Sequence, residues 1–181
     1  RDVATADRWL KDAAATPEAD DARGPEARAA AHACRAAALE LALQQGRYSE
    51  VLRETDQLVS IANELAPRLR AVVTLLRAEA LLGAREYDRA LSAALQALQQ
   101  ARALHQSDVE DQKARPSFRS GEAALVVAEA HRAVGDIDAA KKTLDYALQQ
   151  LGATLPESHP WRKRAEALKL TLAVHETKKK P

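Results

Sequence analysis

Three stretches of this chain can be laid on one another. Leu39-Glu40-Leu41 through Gly46-Arg47-Tyr48 matches Ala78-Glu79-Ala80 through Arg85-Glu86-Tyr87, and both match Ala128-Glu129-Ala130 through Gly135-Asp136-Ile137. Each unit reads as an apolar helix, a short polar turn, an aromatic or aliphatic residue, and a second helix carrying small residues. A lone helix pair cannot bury its apolar face and must stack on its neighbours, so the pattern predicts an all-α solenoid, a surface suited to holding another molecule.

The composition agrees. Hydrophobic residues make up 46% of the 181 positions, yet aromatics only 3%, so Ala and Leu supply most of the apolar volume. Both are strong helix formers, and β-branched residues are sparse. Lys+Arg 27 against Asp+Glu 26 leaves a net charge of +1. That balance argues against a general nucleic-acid binder, which needs a basic excess and, for single strands, aromatic platforms. Cys34 is the single cysteine, so no internal disulfide forms, and the compartment stays open between cytoplasm and periplasm, with the cytoplasm ahead. No apolar run approaches the roughly 20 residues of a membrane span. The best stretch, Ala71 to Ala84, is broken by Arg77 and Glu79. No signal peptide is recognisable. Methionine is absent, so the chain is expected to be a trimmed or processed piece of something longer.

Apolar spacing and turn residues predict a single domain. Residues 1–24 hold a short amphipathic helix, Val3 to Ala15, with Ala6, Trp9, Leu10 and Ala13 on one side, and the polar connector Thr16 to Gly24. Residues 25–66 form the first repeat, with helices Glu26–Gln45 and Ser49–Leu65. Residues 67–116 form the second, with helices Pro67–Leu82 and Tyr87–Gln106 and a charged loop, Ser107 to Ser117. Residues 117–155 form the third, with helices Phe118–Val134 and Asp138–Leu151. Residues 156–175 are a capping helix begun by Ser158, with His159-Pro160-Trp161 in its first turn, and 176–181 are a solvated lysine tail. Gly46, Gly83, Gly135 and Gly152 are expected to stop their helices.

Turn and second-helix positions line up across the units. Gly46, Tyr48 and Val51, then Thr55 and Leu58, correspond to Arg85, Tyr87 and Ala90, then Ala94 and Ala97. In the third unit they are Gly135, Ile137 and Ala140, then Leu144 and Ala147. The aromatic is suited to plugging the elbow between helices, and the small residues to close helix approach. From Glu26 to Leu151 this resembles the tetratricopeptide repeat superfamily in a divergent, long-repeat form. The family period is about 34 residues, whereas Tyr48 to Tyr87 spans 39 positions and Tyr87 to Ile137 spans 50. Arg35, Thr74 and Ala124 stand where the family has a Trp. The resemblance implies a right-handed solenoid of about three hairpins with extra helices at both ends. Ala6, Leu10 and Ala13 match the second-helix places of Ala90, Ala94 and Ala97, so the first helix reads equally as half of an earlier repeat or as an N-terminal cap. Trp161 is expected to pack back on the third repeat.

In that family the first helices line a concave groove. Carried over, the groove residues are Glu40 and Leu43, then Leu75, Glu79 and Leu82, then Leu125, Glu129 and Arg132, with Ala33, Ala36, Val72 and Glu122 beside them. Glu40, Glu79 and Glu129 fall at one equivalent place. They read either as a solvated face or as an acidic ladder accepting N–H groups or basic side chains of a partner. Exchanging all three for Lys is then expected to abolish binding. Ala36, Leu75 and Glu122 stand at relevant places where the family's carboxylate clamp needs Lys, Arg and Asn, so capture of a chaperone's C-terminus is not expected.

No catalytic or metal pattern competes. His32, His105, His131, His159 and His175 are scattered, Cys34 reads as a small buried hydrophobe, and phosphate-loop, dinucleotide and nucleophile-elbow motifs are absent. The expectation is a non-catalytic interaction scaffold of a bacterial protein, without cofactor, metal, nucleic acid or membrane insertion, that docks a peptide or helix of another protein. The alternatives are a regulatory sensor domain, for which the Ser107 to Ser117 loop is suited, and a self-assembly module forming a homodimer.

Overall fold

The structure, a computed structural model, describes residues 24–63, 65–107 and 115–177. The expected helix Val3 to Ala15, its connector, most of the charged loop and the lysine tail lie outside the described residues. Among the described residues the chain is all-helical: α1 Pro25–Gln44, α2 Tyr48–Ser60, α3 Pro67–Gly83, α4 Tyr87–Ser107, α5 Phe118–Ala133, α6 Ile137–Thr154 and α7 Pro160–Thr177. The chain divides into two compact units, Arg1–Arg85 and Glu86–Pro181.

In the first unit α1, α2 and α3 all pack on one another. Val51, Thr55 and Leu58 recur at helical spacing, so α2 turns one narrow stripe inward, and all three are fully buried. Val51 and Leu58 meet Ala36, Leu39 and Ala42 of α1 and Val73, Leu76 and Ala80 of α3 in one core. Burying each Leu or Val there stabilises by about 1.5–3 kcal/mol. The Thr55 hydroxyl in that stripe donates to the Leu52 carbonyl at 3.1 Å, so it leaves no buried donor unpaired. Two ion pairs flank α2. Arg35 of α1 reaches Glu54 (Nη2 to Oε2 2.6 Å), and Arg77 of α3 reaches Asp56 (2.8 Å).

In the second unit α5 packs against α4, α6 and α7. Its residues 120–128 are all buried. This is the reason for its composition: Ser120, Gly121, Ala123, Ala124 and Ala128 let neighbours approach from several sides. A Cβ added at Gly121 would lie 2.8 Å from Leu151 of α6, so that approach requires glycine. Ala165, Leu168 and Leu172 give α7 its buried face.

The turns that follow α1, α3 and α5 share one backbone feature. Gly46, Arg85 and Gly135 all take positive φ, at 72°, 64° and 90°. At the first turn Gly46 N–H donates to the Leu43 carbonyl and Arg47 N–H to the Ala42 carbonyl. At the third, Gly135 donates to Arg132 and Asp136 to His131. This is the paired closure of a Schellman turn, which satisfies carbonyls left over at a helix end. Arg85 donates to the Leu82 carbonyl in the same way, but as an L-residue in a conformation that favours glycine.

Several boundaries differ from the sequence reading. The second helix stops at Ser60, not Leu65: the Ser60 hydroxyl bonds back to the Gln57 carbonyl at 2.6 Å, and a turn follows. Leu65 is nonetheless in the core, which it enters from the connector. Gly152 does not stop its helix; α6 runs on to Thr154 and ends where Pro156 forces Leu155 into an extended conformation. Ser158 does not cap the last helix. His159 does, accepting the Trp161 N–H on Nδ1 at 3.3 Å, with Pro160 as the first helical residue.

Candidate partner-binding site

In the first unit α1 packs on α3, and in the second α5 touches α7, the expected capping helix. Val51, Ala90 and Ala140 are fully buried, as are Ala94, Ala97, Leu144 and Ala147. Tyr48 is half-buried, and its ring lies across Gly83 at the end of α3, where an added Cβ would fall 2.2 Å from Cε1. Tyr87 is 36% exposed and Ile137 is half-buried, so the elbow place is closed to different degrees.

The three glutamates at equivalent register sit in three different environments. Glu40 is exposed on α1. Glu79 of α3 is half-buried and already engaged in an interaction within the chain. Glu129 of α5 is taken by Arg164 of α7, whose Nε lies 2.7 Å from Oε1 while Nη2 grips Oε2. The Trp161 ring stacks on that guanidinium, 4.9 Å from centroid to Cζ. Fork-on-fork geometry and a flat aromatic face are the two contacts that suit arginine and not lysine.

The apolar half of the expected groove needs correcting. Leu125 is fully buried and Leu75 8% exposed, so neither offers surface to a partner. Glu122 is buried as well, with Arg119 one turn away at 3.0 Å. Leu43 and Leu82 are half-buried and Arg132 is exposed. Among the expected groove residues of the first unit, Glu40 is an exposed acid, with Leu43 one turn further along α1.

Sequence reasoning missed Arg164. Its signal was an opposite charge 35 positions after Glu129, about one family period. It also missed Arg35, whose hydrogen bonds and charge hold the Glu54 carboxyl below its usual range despite opposing burial. Among the described residues no group of three His, Cys, Asp or Glu is placed to hold a metal ion, and no helix is long and apolar enough to cross a membrane. Cys34 is half-buried, not buried. Comparison of the chain with known protein families, with curated protein sequences and with solved structures gives no significant match.

Proposed function

We propose that this chain is a tetratricopeptide-like helical repeat, a right-handed solenoid in kind, that acts as a non-catalytic scaffold for another protein. Two features support the repeat: left-handed residues at Gly46, Arg85 and Gly135 in one register, and the packing of first helix α1 on first helix α3 in the first unit. The observation that carries the binding role is the Glu129–Arg164 pair. A carboxylate at the ladder register accepts a guanidinium fork from a neighbouring helix, which is the contact a basic partner residue makes at the exposed Glu40. The partner is a helix or extended segment with Arg or Lys beside an apolar residue, the latter meeting Leu43 and Leu82.

The test is selection from a random peptide library on the intact chain. Enriched sequences carrying a basic residue beside an apolar one, with affinity cut about tenfold or more by Glu40→Lys, support the reading. Binding indifferent to Glu40→Lys moves the site elsewhere. The triple Lys exchange is unsuitable, because Glu129→Lys also breaks the contact with Arg164.

Self-association has one observation on its side. Leu170 and Val174 of α7 are 70% and 54% exposed one turn apart. A concentration-dependent mass lowered by Leu170→Lys favours it; a constant monomer mass removes it.

A further inference from the structure

The two most exposed large apolar side chains among the described residues lie on one stripe of α7. Leu170 is 70% exposed and Val174 54%. Ala167 and Lys163, one and two turns before Leu170, are exposed as well. The spacing of these four keeps them on one side of the helix. The opposite side carries the buried Ala165, Leu168 and Leu172. α1 carries an exposed stripe of the complementary kind: Ala29, Ala33, Ala37 and Glu40 recur at helical spacing and are all exposed. α1 thus offers small side chains that end at an acid, and α7 offers a base followed by bulky apolar residues.

We infer that α7 of one copy docks antiparallel on α1 of a second copy. With Leu170 set opposite Ala33, a single register also sets Val174 opposite Ala29 and Lys163 opposite Glu40. Bulky residues then meet small ones, which lets the helices approach, and the base meets the acid. A parallel alignment on the same centre sets Lys163 against Glu26 instead, but it brings two helix N-termini together, which the helix dipoles oppose. Within one chain α7 already makes this kind of contact, Arg164 with Glu129 at the ladder register. Lys163 with Glu40 repeats it between copies. The contact joins unlike faces, so each copy keeps one face of each kind, and association continues past the dimer unless a ring closes. α1 is then the surface that the self-association reading leaves unnamed, and the docking rests on that reading.

Sedimentation of the full chain over a concentration series tests this, with circular dichroism confirming that each variant folds. The mass of the unaltered chain should rise with concentration. Ala33→Arg and Leu170→Asp, both at exposed positions, should each weaken association about tenfold or more. An equimolar mixture of the two should recover dimers and nothing larger, because each supplies the face the other lacks. Glu40→Lys and Lys163→Glu should each weaken association about fivefold, and the two exchanges in one chain should restore it. Association lost in Leu170→Asp but unchanged in Ala33→Arg keeps self-association and overturns α1 as the face that α7 meets. Sensitivity to Glu26→Lys and not to Glu40→Lys overturns the antiparallel register. A constant monomer mass removes both self-association and this docking, and leaves peptide binding at Glu40 standing.

Discussion

Arg164 holds Glu129 through both carboxylate oxygens, tying α7 to α5 with Trp161 stacked on the guanidinium. The pair is partly shielded: the Glu129 side chain is 17% exposed and that of Arg164 36%. Ordinary surface pairs contribute little, but a bidentate, stacked arginine is among the better cases. A double-mutant cycle with Glu129→Gln and Arg164→Met, read by urea unfolding, should give a coupling of about 1 kcal/mol. Arg164→Lys should recover less than half of it, because an ammonium cannot fork. A coupling indistinguishable from zero would remove this contact as the fastening of α7.

The Tyr48 ring across Gly83 makes a second expectation. Gly83→Ala gains helix propensity of up to about 1 kcal/mol, yet its methyl meets three ring atoms within 2.6 Å. Displacing the ring should dominate, with a net loss of about 1–2 kcal/mol. In a Tyr48→Ala background the same change should become neutral or stabilising. Loss of equal size in both backgrounds would show that the ring is not the obstacle.

The turn residues separate conformation from contact. An added Cβ at Gly46 or Gly135 meets nothing within 4 Å, so Gly46→Ala should cost only the left-handed backbone, about 1 kcal/mol. Arg85→Gly should stabilise by roughly 0.5–1 kcal/mol for the converse reason. Thermal unfolding that moves Arg85→Gly downward would mean that the Arg85 side chain outweighs its backbone cost.

Glu54 gives the protein an acid-sensitive latch. Its carboxyl is held below the usual range, first by the hydrogen bond from Arg35. A depressed carboxyl contributes stability that is complete above the unfolded glutamate value of about 4.3. That contribution is lost as pH falls through the lower folded value. Its size is under about 1 kcal/mol for a pair this near the surface. Stability measured between pH 6 and pH 3 should therefore fall more steeply in the native chain than in Arg35→Met. Parallel pH profiles would show that the latch adds nothing.

Much of the architecture could be read directly. Helix existence and type follow from Ala-Leu composition and 3.6-residue spacing, which are local properties of the chain. The buried stripes Val51-Thr55-Leu58, Ala90-Ala94-Ala97 and Ala140-Leu144-Ala147 were legible for that reason, since a helix face is set by its own sequence. Gly46 and Gly135 announced their turns, but after α3 the expected stop, Gly83, is helical and the left-handed residue is Arg85. Gly152 misled because glycine stops a helix only when the chain takes positive φ there, and Pro156 ended α6 first.

The candidate site was less legible. Glu40, Glu79 and Glu129 are one residue at one register in the sequence, and only neighbouring helices separate an exposed carboxylate from one already taken. Leu125 and Leu43 read alike by hydrophobicity, but the first is fully buried on a helix that packs on α4, α6 and α7, while the second is only partly buried against the first unit's core. The sequence by itself determined the helices, their inward stripes and the shared turn, because spacing and backbone preference act within a few residues. The tertiary structure decided which equivalent positions face solvent and which charges are spent on other helices, because burial and ion pairing depend on groups dozens of positions away.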